Sequence, residues 1–553
     1  MFVKKVQKPN GATAVLIVES VRRAGKITHK TLRSLGSHYE PKELELVIKT
    51  AEAIVIEMKE RAQPVLTGLD PLEFYARQDK IPKAKAEPEE NFEINPLKLE
   101  EETRLIVGTQ EVFGQMYNQF KFNEVLDTTY KADDWNAILR QAVLSRITDP
   151  ASKLKTSERL IDYQGIDIPV QKFYRMMDKV AENQDRIKDF VLESTMKSLD
   201  NQIDVAFFDV TTLHFESFAE DELRRFGFSK NCRFKETQVV LALQTTREGL
   251  PLGYDLYPGN TYEGKTLIEA VQRQKEKFNV GNVVLVADRA MFNKSNLALM
   301  DQMGVSFVVA AKLKALPKAD KASLLEFAQS LDKKKSAFKE FELEGRRLIT
   351  HFCPDRAKKD LSDRERLVTR LRKQLGDNKE IQITKLIKNQ GTKKYLKYAG
   401  PNKTKASVNE DKILEDTRWD GLHGIITNVQ GERAESLLHR YRDLWQIEEA
   451  FRINKHDLKM RPIFHYKPER IKAHIAICYM AYAMIANIRF RLKKSGLKLS
   501  VEKIRDQLGR VQKSVVVDPA TKRRFVLPSK FNPIHEKIYQ SLGVQSQTKP
   551  YFI

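Results

Sequence analysis

Near the start of the chain, apolar residues recur at every second position. AVLIVESVRR and KITHKTLRSLG, within residues 1 to about 40, alternate apolar and polar side chains and predict a small β-hairpin unit. From 41 to 62 the period lengthens (PKELELVIKTAEAIVIEMKE) and predicts a helix. An acidic, proline-bearing stretch, EPEENFEINPLKLEEE over 87–102, then reads as a linker. Residues 103–200 carry a helical period throughout, with Asp149-Pro150 separating one helix from the next. At about 201 the texture changes. IDVAFFDVT, TQVVLALQTT, VVLVAD and VSFVVAAK are short β-branched runs, and KTLIEAVQRQKEKF and NKSNLALMDQMG lie between them as helices, so 201–312 predicts a mixed α/β sheet. Residues 313–415 are lysine-rich, with strands FKEFELEGRRLITHF, EIQITKLI and KKYLKYAG around the charged helix SDRERLVTRLRKQL; they read as an inserted, mainly β subdomain. TRWDGLHGIITNV supplies a further strand to a second core segment, 416–495, and 496–553 reads as a helical tail.

The stretch Tyr441 to His465, YRDLWQIEEAFRINKHDLKMRPIFH, organises the second core segment. As one helix ended by Pro462 it sets Tyr441, Glu448 and Lys455 seven residues apart on a single stripe. Leu444, Trp445, Ile447, Phe451 and Leu458 give it an apolar side. On this stretch alone Glu448 is better explained by an ion pair with Arg452, four residues on.

Two aspartates elsewhere change that balance. Asp209 closes the apolar run IDVAFFD and Asp288 directly follows VVLVA, so both are expected where a buried strand stops; Asp204, at the strand's start, is expected to be exposed. Each aspartate alone is equally compatible with a helix cap. Together with a helix-borne glutamate they form an all-oxygen donor set of the kind Mg²⁺ prefers, two or three carboxylates sufficing to hold one or two ions beside a phosphate.

Charge points to the same class of partner. The 553 residues hold 96 Lys+Arg against 74 Asp+Glu, a net charge of +22, for which a polyanion is the natural partner. Within the helical region PVQKFYRMMDKV has the look of a recognition helix after a turn, with Lys172, Tyr174 and Arg175 as DNA-reading candidates; an ordinary helical bundle with a wet face is the alternative. The apolar run Ile475 to Ile488 has 14 residues, too short for a bilayer, and is expected to be a buried core helix. Cys232, Cys353 and Cys478 have no paired spacing, and the N-terminus has no signal-peptide pattern, so a reducing cytoplasm and no membrane are expected.

The ordered set of motifs resembles bacterial insertion-sequence transposases of the DDE type. The match is to the branch with a Tyr-x2-Arg-x3-Glu-x6-Lys signature, an IS-four-like group, and its subgroup with LWxIE, FRxxK and RPxFH. Tyr441, Glu448 and Lys455 fit the signature; Leu444 stands where it has Arg, and Leu444–Glu448, Phe451–Lys455 and Arg461–His465 fit the subgroup. FFDVTT, GFSKNCRFKETQVVLAL, GLPLGYDLYPGN and VADRAM extend the match. The resemblance implies a ribonuclease-H-like sheet with a β-rich insertion and an N-terminal β-hairpin and helical DNA-binding region. It implies Asp209, Asp288 and Glu448 as the catalytic, metal-binding triad for two Mg²⁺ or Mn²⁺ ions, with Tyr441 and Lys455 on DNA phosphate; Arg452, or Arg442 although it points elsewhere on the wheel, is the candidate for the phosphate contact of the missing Arg.

The expected domains are then an N-terminal module at 1–86, a linker at 87–102, a helical DNA-binding region at 103–200, a catalytic core at 201–312 and 416–495 split by the insertion at 313–415, and a tail at 496–553. The expected activity is cleavage at terminal inverted repeats and strand transfer to target DNA, by a homodimer associated with the bacterial nucleoid. A nuclease or resolvase on the same sheet, and an inactive DNA-binding relative, are the alternatives.

Overall fold

The computed structural model describes residues 2–7, 13–23, 26–38, 47–48, 51, 98–127, 130–215, 219–227, 236–262, 266–269, 284–287, 294–375, 394–399, 405–519 and 521–553. The chain divides into two compact units, Met1–Glu89 and Glu90–Ile553.

In the first unit, strands β1 (Phe2–Gln7), β2 (Thr13–Arg23) and β3 (Lys26–His38) form an antiparallel sheet in the order β1-β2-β3. The alternation that predicts a hairpin is read correctly for β2 and β3, and β1 adds a third strand. Val15 and Ile17 of β2 are buried with Ala51. The rest of the predicted helix over 41–62, apart from 47, 48 and 51, lies outside the described residues.

The second unit opens with a strand where linker and helix are expected: β4 spans Glu100–Ile106. Five helices follow, α1 (Gly108–Gln119), α2 (Ala132–Thr148), α3 (Lys153–Gln164), α4 (Val170–Glu182) and α5 (Gln184–Ser198). Next come β5 (Val205–His214), β6 (Gln238–Thr246), β7 (Pro251–Pro258), β8 (Val284–Ala287), helix α6 (Lys294–Gln302) and β9 (Phe307–Ala310). β5, β8 and β9 run parallel and adjacent, while β6 and β7 add to β5 as antiparallel strands. Every residue of β6 is buried, which explains a sequence run with no polar face.

After helix α7 (Lys318–Gln329), the hairpin β10 (Ala337–Leu343) and β11 (Arg346–Phe352) leads into the long helix α8 (Pro354–Leu375). Strands β12 (Leu396–Ala399) and β13 (Lys405–Val408) form a separate ribbon, followed by helix α9 (Glu410–Thr417). Strand β14 (Leu422–Thr427) pairs with β9 on one side and β11 on the other, giving one eight-stranded sheet ordered β10-β11-β14-β9-β8-β5-β6-β7. The lysine-rich segment is therefore not a separate β subdomain. Its hairpin extends the main sheet, because β14 offers β11 a free edge; among the described strands β12 and β13 stand apart, and the expected strand EIQITKLI lies outside the described residues.

Helices α10 (Ala434–Arg442), α11 (Trp445–Arg452), α12 (Pro468–Lys494) and α13 (Val501–Gly509) follow. Strands β15 (Gln512–Val517) and β16 (Arg524–Pro528), helix α14 (Pro533–Leu542) and strand β17 (Tyr551–Phe552) complete the chain. The C-terminal region is not a helical tail, since β17, β16, β15 and β4 form an antiparallel sheet that returns the chain to its residues 100–106.

Helix α12 contains the apolar run and is apolar on all sides because it is enclosed by α2, α4 and α5. It is long and apolar enough to cross a membrane by composition, yet 94% of its most apolar window is buried inside the protein. The 14-residue run is thus the centre of a core helix, as its length implies.

Candidate active site

Asp209 is not at a strand end. β5 continues through Thr211 and Thr212 to His214 because β6 pairs with it along its whole length. What ends beside Asp209 is the described part of the parallel neighbour, whose last partner pair is Phe208 with Ala287. The residue before Asp209 therefore lies against the residue before Asp288, and Asp288 itself lies outside the described residues. Asp204 is exposed, as expected, and reaches Arg247 at 4.0 Å.

Alternation along β5 sends Ala206, Phe208 and Val210 into an apolar core with Leu297 and Met300 of α6. Asp209 and Thr211 share the other face. Asp209 is half-buried there, and its Oδ1 accepts the Val210 N–H at 2.8 Å.

The stretch from Tyr441 is not one helix. α10 ends at Arg442, α11 begins at Trp445, and the break is closed by i→i+3 bonds from Leu444 N to Tyr441 O and from Gln446 N to Asp443 O. Asp443 is drawn aside at the break: Arg247, in the turn after β6, donates Nε to its carboxylate at 2.7 Å. Past α11 the backbone widens into a π turn over Ile453–Asp457, with Leu458 N bonded to Ile453 O.

These departures separate the three signature residues. Tyr441, half-buried, lines a cavity of 760 Å³ with Lys314, Arg356, Lys394, Trp419 and His423. Burial, with His351 and nearby arginines, pushes His423 down to about 3, so it stays neutral near pH 7. Lys455 crosses to the sheet: its ammonium donates to Thr211 Oγ1 and stands 5.3 Å from the Phe451 ring centroid. Ile447, Ala450 and Phe451 form the buried side of α11, which packs on β5 and β6. Trp445, read as part of that apolar side, is 53% exposed instead.

Glu448 is exposed and has no hydrogen-bond or ion-pair partner among the described residues. The pair expected between Glu448 and Arg452 does not form. Arg452 turns to Glu449, with two bonds of 2.8 and 2.7 Å, and Arg489 adds a third contact to Glu449 at 3.2 Å. Those bonds hold the Glu449 carboxyl below its ordinary range and keep Arg452 engaged. Arg442, near the missing signature Arg, points to His351.

Of the DNA-reading candidates on α4, Lys172 and Arg175 are exposed. Tyr174 is half-buried, with the Arg470 guanidinium 5.0 Å from its ring centroid and His465 edge-on to it. Among the described residues no three His, Cys, Asp or Glu side chains stand grouped to hold a metal. Thr211 is the site residue the sequence reading passed over, although its place two residues after Asp209 already set it on the same face.

Comparison with known proteins follows the same regions. Residues 200–484 match the family model described as Transposase DDE domain, and residues 3–64 match that of the IS1634 family transposase N-terminal domain. Among solved structures, the piggyBac transposase synaptic complex with hairpin DNA aligns over 73% of this chain and 79% of its own, at 9% identity and a TM-score of 0.38. A pre-cleavage Mos1 transpososome aligns over 31% of this chain and 58% of its own, at 15% identity and a TM-score of 0.14. No curated protein matches the sequence.

Proposed function

Because this chain belongs to the DDE transposase family and is an insertion-sequence transposase, we propose that Asp209, Asp288 and Glu448 are its catalytic carboxylates, on a ribonuclease-H-like sheet. The observation that carries this reading is the seating of α11. The helix packs on β5 and β6, and Lys455, just beyond its end, bonds Thr211 on the face of β5 that bears Asp209. Glu448, one helical turn before Phe451, is exposed and has no partner among the described residues.

The donor set is oxygen only, which fits a hard divalent cation such as Mg²⁺ or Mn²⁺. Such a cation supplies neutralisation of negative charge on the phosphate and its leaving oxygen. Asp209 and Glu448 would hold it, and the Asp209 carboxylate is oriented for that by the Val210 N–H at its Oδ1. The substrates we assign are duplex DNA bearing the element's terminal inverted repeats, and target DNA, bound by a homodimer. The motifs at 444–448, 451–455 and 461–465 favour the Tyr-Arg-Glu-Lys branch of the family.

Lys455 serves as the phosphate clamp next to Asp209, its bond to Thr211 holding the ammonium at the sheet. Lys455→Met is expected to weaken binding of terminal-repeat DNA by roughly tenfold and to reduce the slope of log affinity against log salt by about one, in fluorescence-anisotropy titrations. Arg452 is expected to matter less, being held by Glu449.

Helix α4 presents Lys172 and Arg175 to solvent, while Phe173, Met176, Met177 and Val180 are buried. That leaves the exposed face able to enter a groove. The double substitution Lys172→Ala, Arg175→Ala is expected to lower affinity for terminal-repeat DNA more than for unrelated duplex; an equal loss on both would reduce these residues to sequence-independent phosphate contacts. Cleavage of labelled repeat DNA, with the carboxylate variants described below, tests the function as a whole.

A further inference from the structure

The motif RPIFH, Arg461–His465, has no part in the site described above, and it borders a cavity of its own. The cavity, 200 Å³, lies between the end of α2, the Pro150–Lys153 turn that starts α3, and the 459–465 loop. Its walls are cationic: Arg146, Lys153, Lys459 and Arg461 line it together with His465 and His474, and no carboxylate does so among the described residues.

Two of these cations are deeply placed. Arg146 is 5% exposed and Lys153 4% exposed. Arg146 donates Nη2 to Ala151 O at 3.0 Å, but its Nε has no partner, and Lys153 makes no hydrogen bond or ion pair among the described residues. His474 donates Nε2–H to Met460 O at 3.0 Å, and its Nδ1 is likewise buried without a partner. Buried cations are ordinarily paired, because desolvation of an unpaired charge is costly. Here two line one cavity with no carboxylate among the described residues on its walls.

We propose that this cavity is a phosphate site, filled either by a backbone phosphate of bound DNA or by a free phosphate ion. The size fits one phosphate group, and the donors are an arginine, a lysine and the first turn of a helix whose N-cap is Ser152. Its position favours DNA. Ile463 bridges in parallel to Phe215 at the end of the strand that bears Asp209. Phe464 on the cavity wall and Tyr466 just beyond it are 59% and 67% exposed, and Tyr174 of α4 completes the wall. The DNA assignment rests on the transposase reading; the phosphate assignment does not.

Lys153 gives the site a pH signature. Burial, then the neighbouring Arg146, lowers its ammonium to about 7 in the empty cavity. The groups facing it are Arg146 on α2, Lys459, Arg461 and His465 on the loop, and His474 and the neutral thiol of Cys478 on α12. A bound phosphate restores the proton to Lys153, so phosphate binding weakens as pH rises above 7.

The test is thermal unfolding of the full chain in sodium phosphate against sodium chloride of equal ionic strength, for wild type, Lys153→Met and Arg146→Gln. Wild type should gain about 2–4 °C from phosphate, and both variants should lose the gain. Lys153→Met should also melt higher than wild type in chloride, since it removes an unpaired buried ammonium. No gain in wild type, or a gain kept by Lys153→Met, overturns the proposal. Affinity for terminal-repeat duplex separates the sources. A roughly tenfold loss with Lys153→Met, and competition by phosphate, identifies a DNA phosphate. Unchanged DNA affinity beside a lost phosphate gain keeps the phosphate site and overturns its assignment to DNA. Neither arm depends on cleavage, so a failure of the carboxylate assignment leaves this result readable.

Discussion

Glu448→Gln is expected to slow cleavage at the terminal repeat by roughly a thousandfold or more while the protein stays folded and still binds the DNA. The substitution removes one negative oxygen ligand at nearly constant shape. Loss of several kcal/mol of charge stabilisation at the reacting phosphate corresponds to about three powers of ten in rate. Folding should be untouched, because Glu448 is exposed and holds no partner among the described residues; substitutions at such places typically change stability by no more than about 0.5 kcal/mol. Asp209→Asn should be as severe for cleavage. Gel assays on end-labelled duplex with Mg²⁺ read the first effect, and circular dichroism with anisotropy reads the second. Normal cutting by Glu448→Gln would remove α11 from the catalytic site.

The second large effect is on stability. Asp416, 5% exposed, accepts from Lys314 at 2.8 Å, from Lys394 at 3.0 Å and from the Tyr395 hydroxyl at 3.0 Å. This one carboxylate ties the segment after β9, the residues before β12 and helix α9 together. Asp416→Ala strands the buried Tyr395 hydroxyl, while the half-exposed Lys314 and Lys394 ammonium groups turn to water, and is expected to cost about 1–3 kcal/mol, the range for leaving a buried polar group unsatisfied. Urea unfolding reads it. The pH dependence has a definite sign. Burial alone would raise the Asp416 carboxyl, but the bonds from Lys314, Lys394 and Tyr395 outweigh it and hold the group well below its ordinary 3.8. A depressed carboxyl contributes stability above the unfolded value and loses it as pH falls through and below 3.8 toward the folded value. Wild type should therefore weaken in acid over that window, and Asp416→Ala should show a flatter curve.

The sequence pattern carried the sheet further than the helices around it. β5, β6, β8 and β9 are legible because their apolar runs are short, β-branched and bounded by turns, and the unbroken apolar run VVLAL within β6 follows from burial on both faces. Strand β4 was not legible: EEETRLI is acidic, and its strand character comes from pairing with β15, some four hundred residues away. The same non-local pairing hid the sheet in the last sixty residues. The break at Asp443 and Leu444 was hidden for a related reason, since helical spacing continues through it and the Arg247 contact to Asp443 comes from a distant turn. At the candidate site, Glu448 and Lys455 are singled out by spacing. The partner of Lys455 and the true partner of Arg452 needed the fold, because a side chain chooses between adjacent acids by geometry that a helical wheel does not resolve.

The measurement that bears most directly on the carboxylate assignment is Mn²⁺ binding to the full chain with terminal-repeat DNA bound, followed by the loss of the free-ion signal in electron paramagnetic resonance. Wild type should take up Mn²⁺ at a site that Asp209→Asn and Glu448→Gln each weaken by at least tenfold, with DNA still bound. If Glu448→Gln binds Mn²⁺ with the number and affinity of the wild type, then Glu448 and Asp209 do not share a metal site, and the reading of α11 as the catalytic helix is wrong.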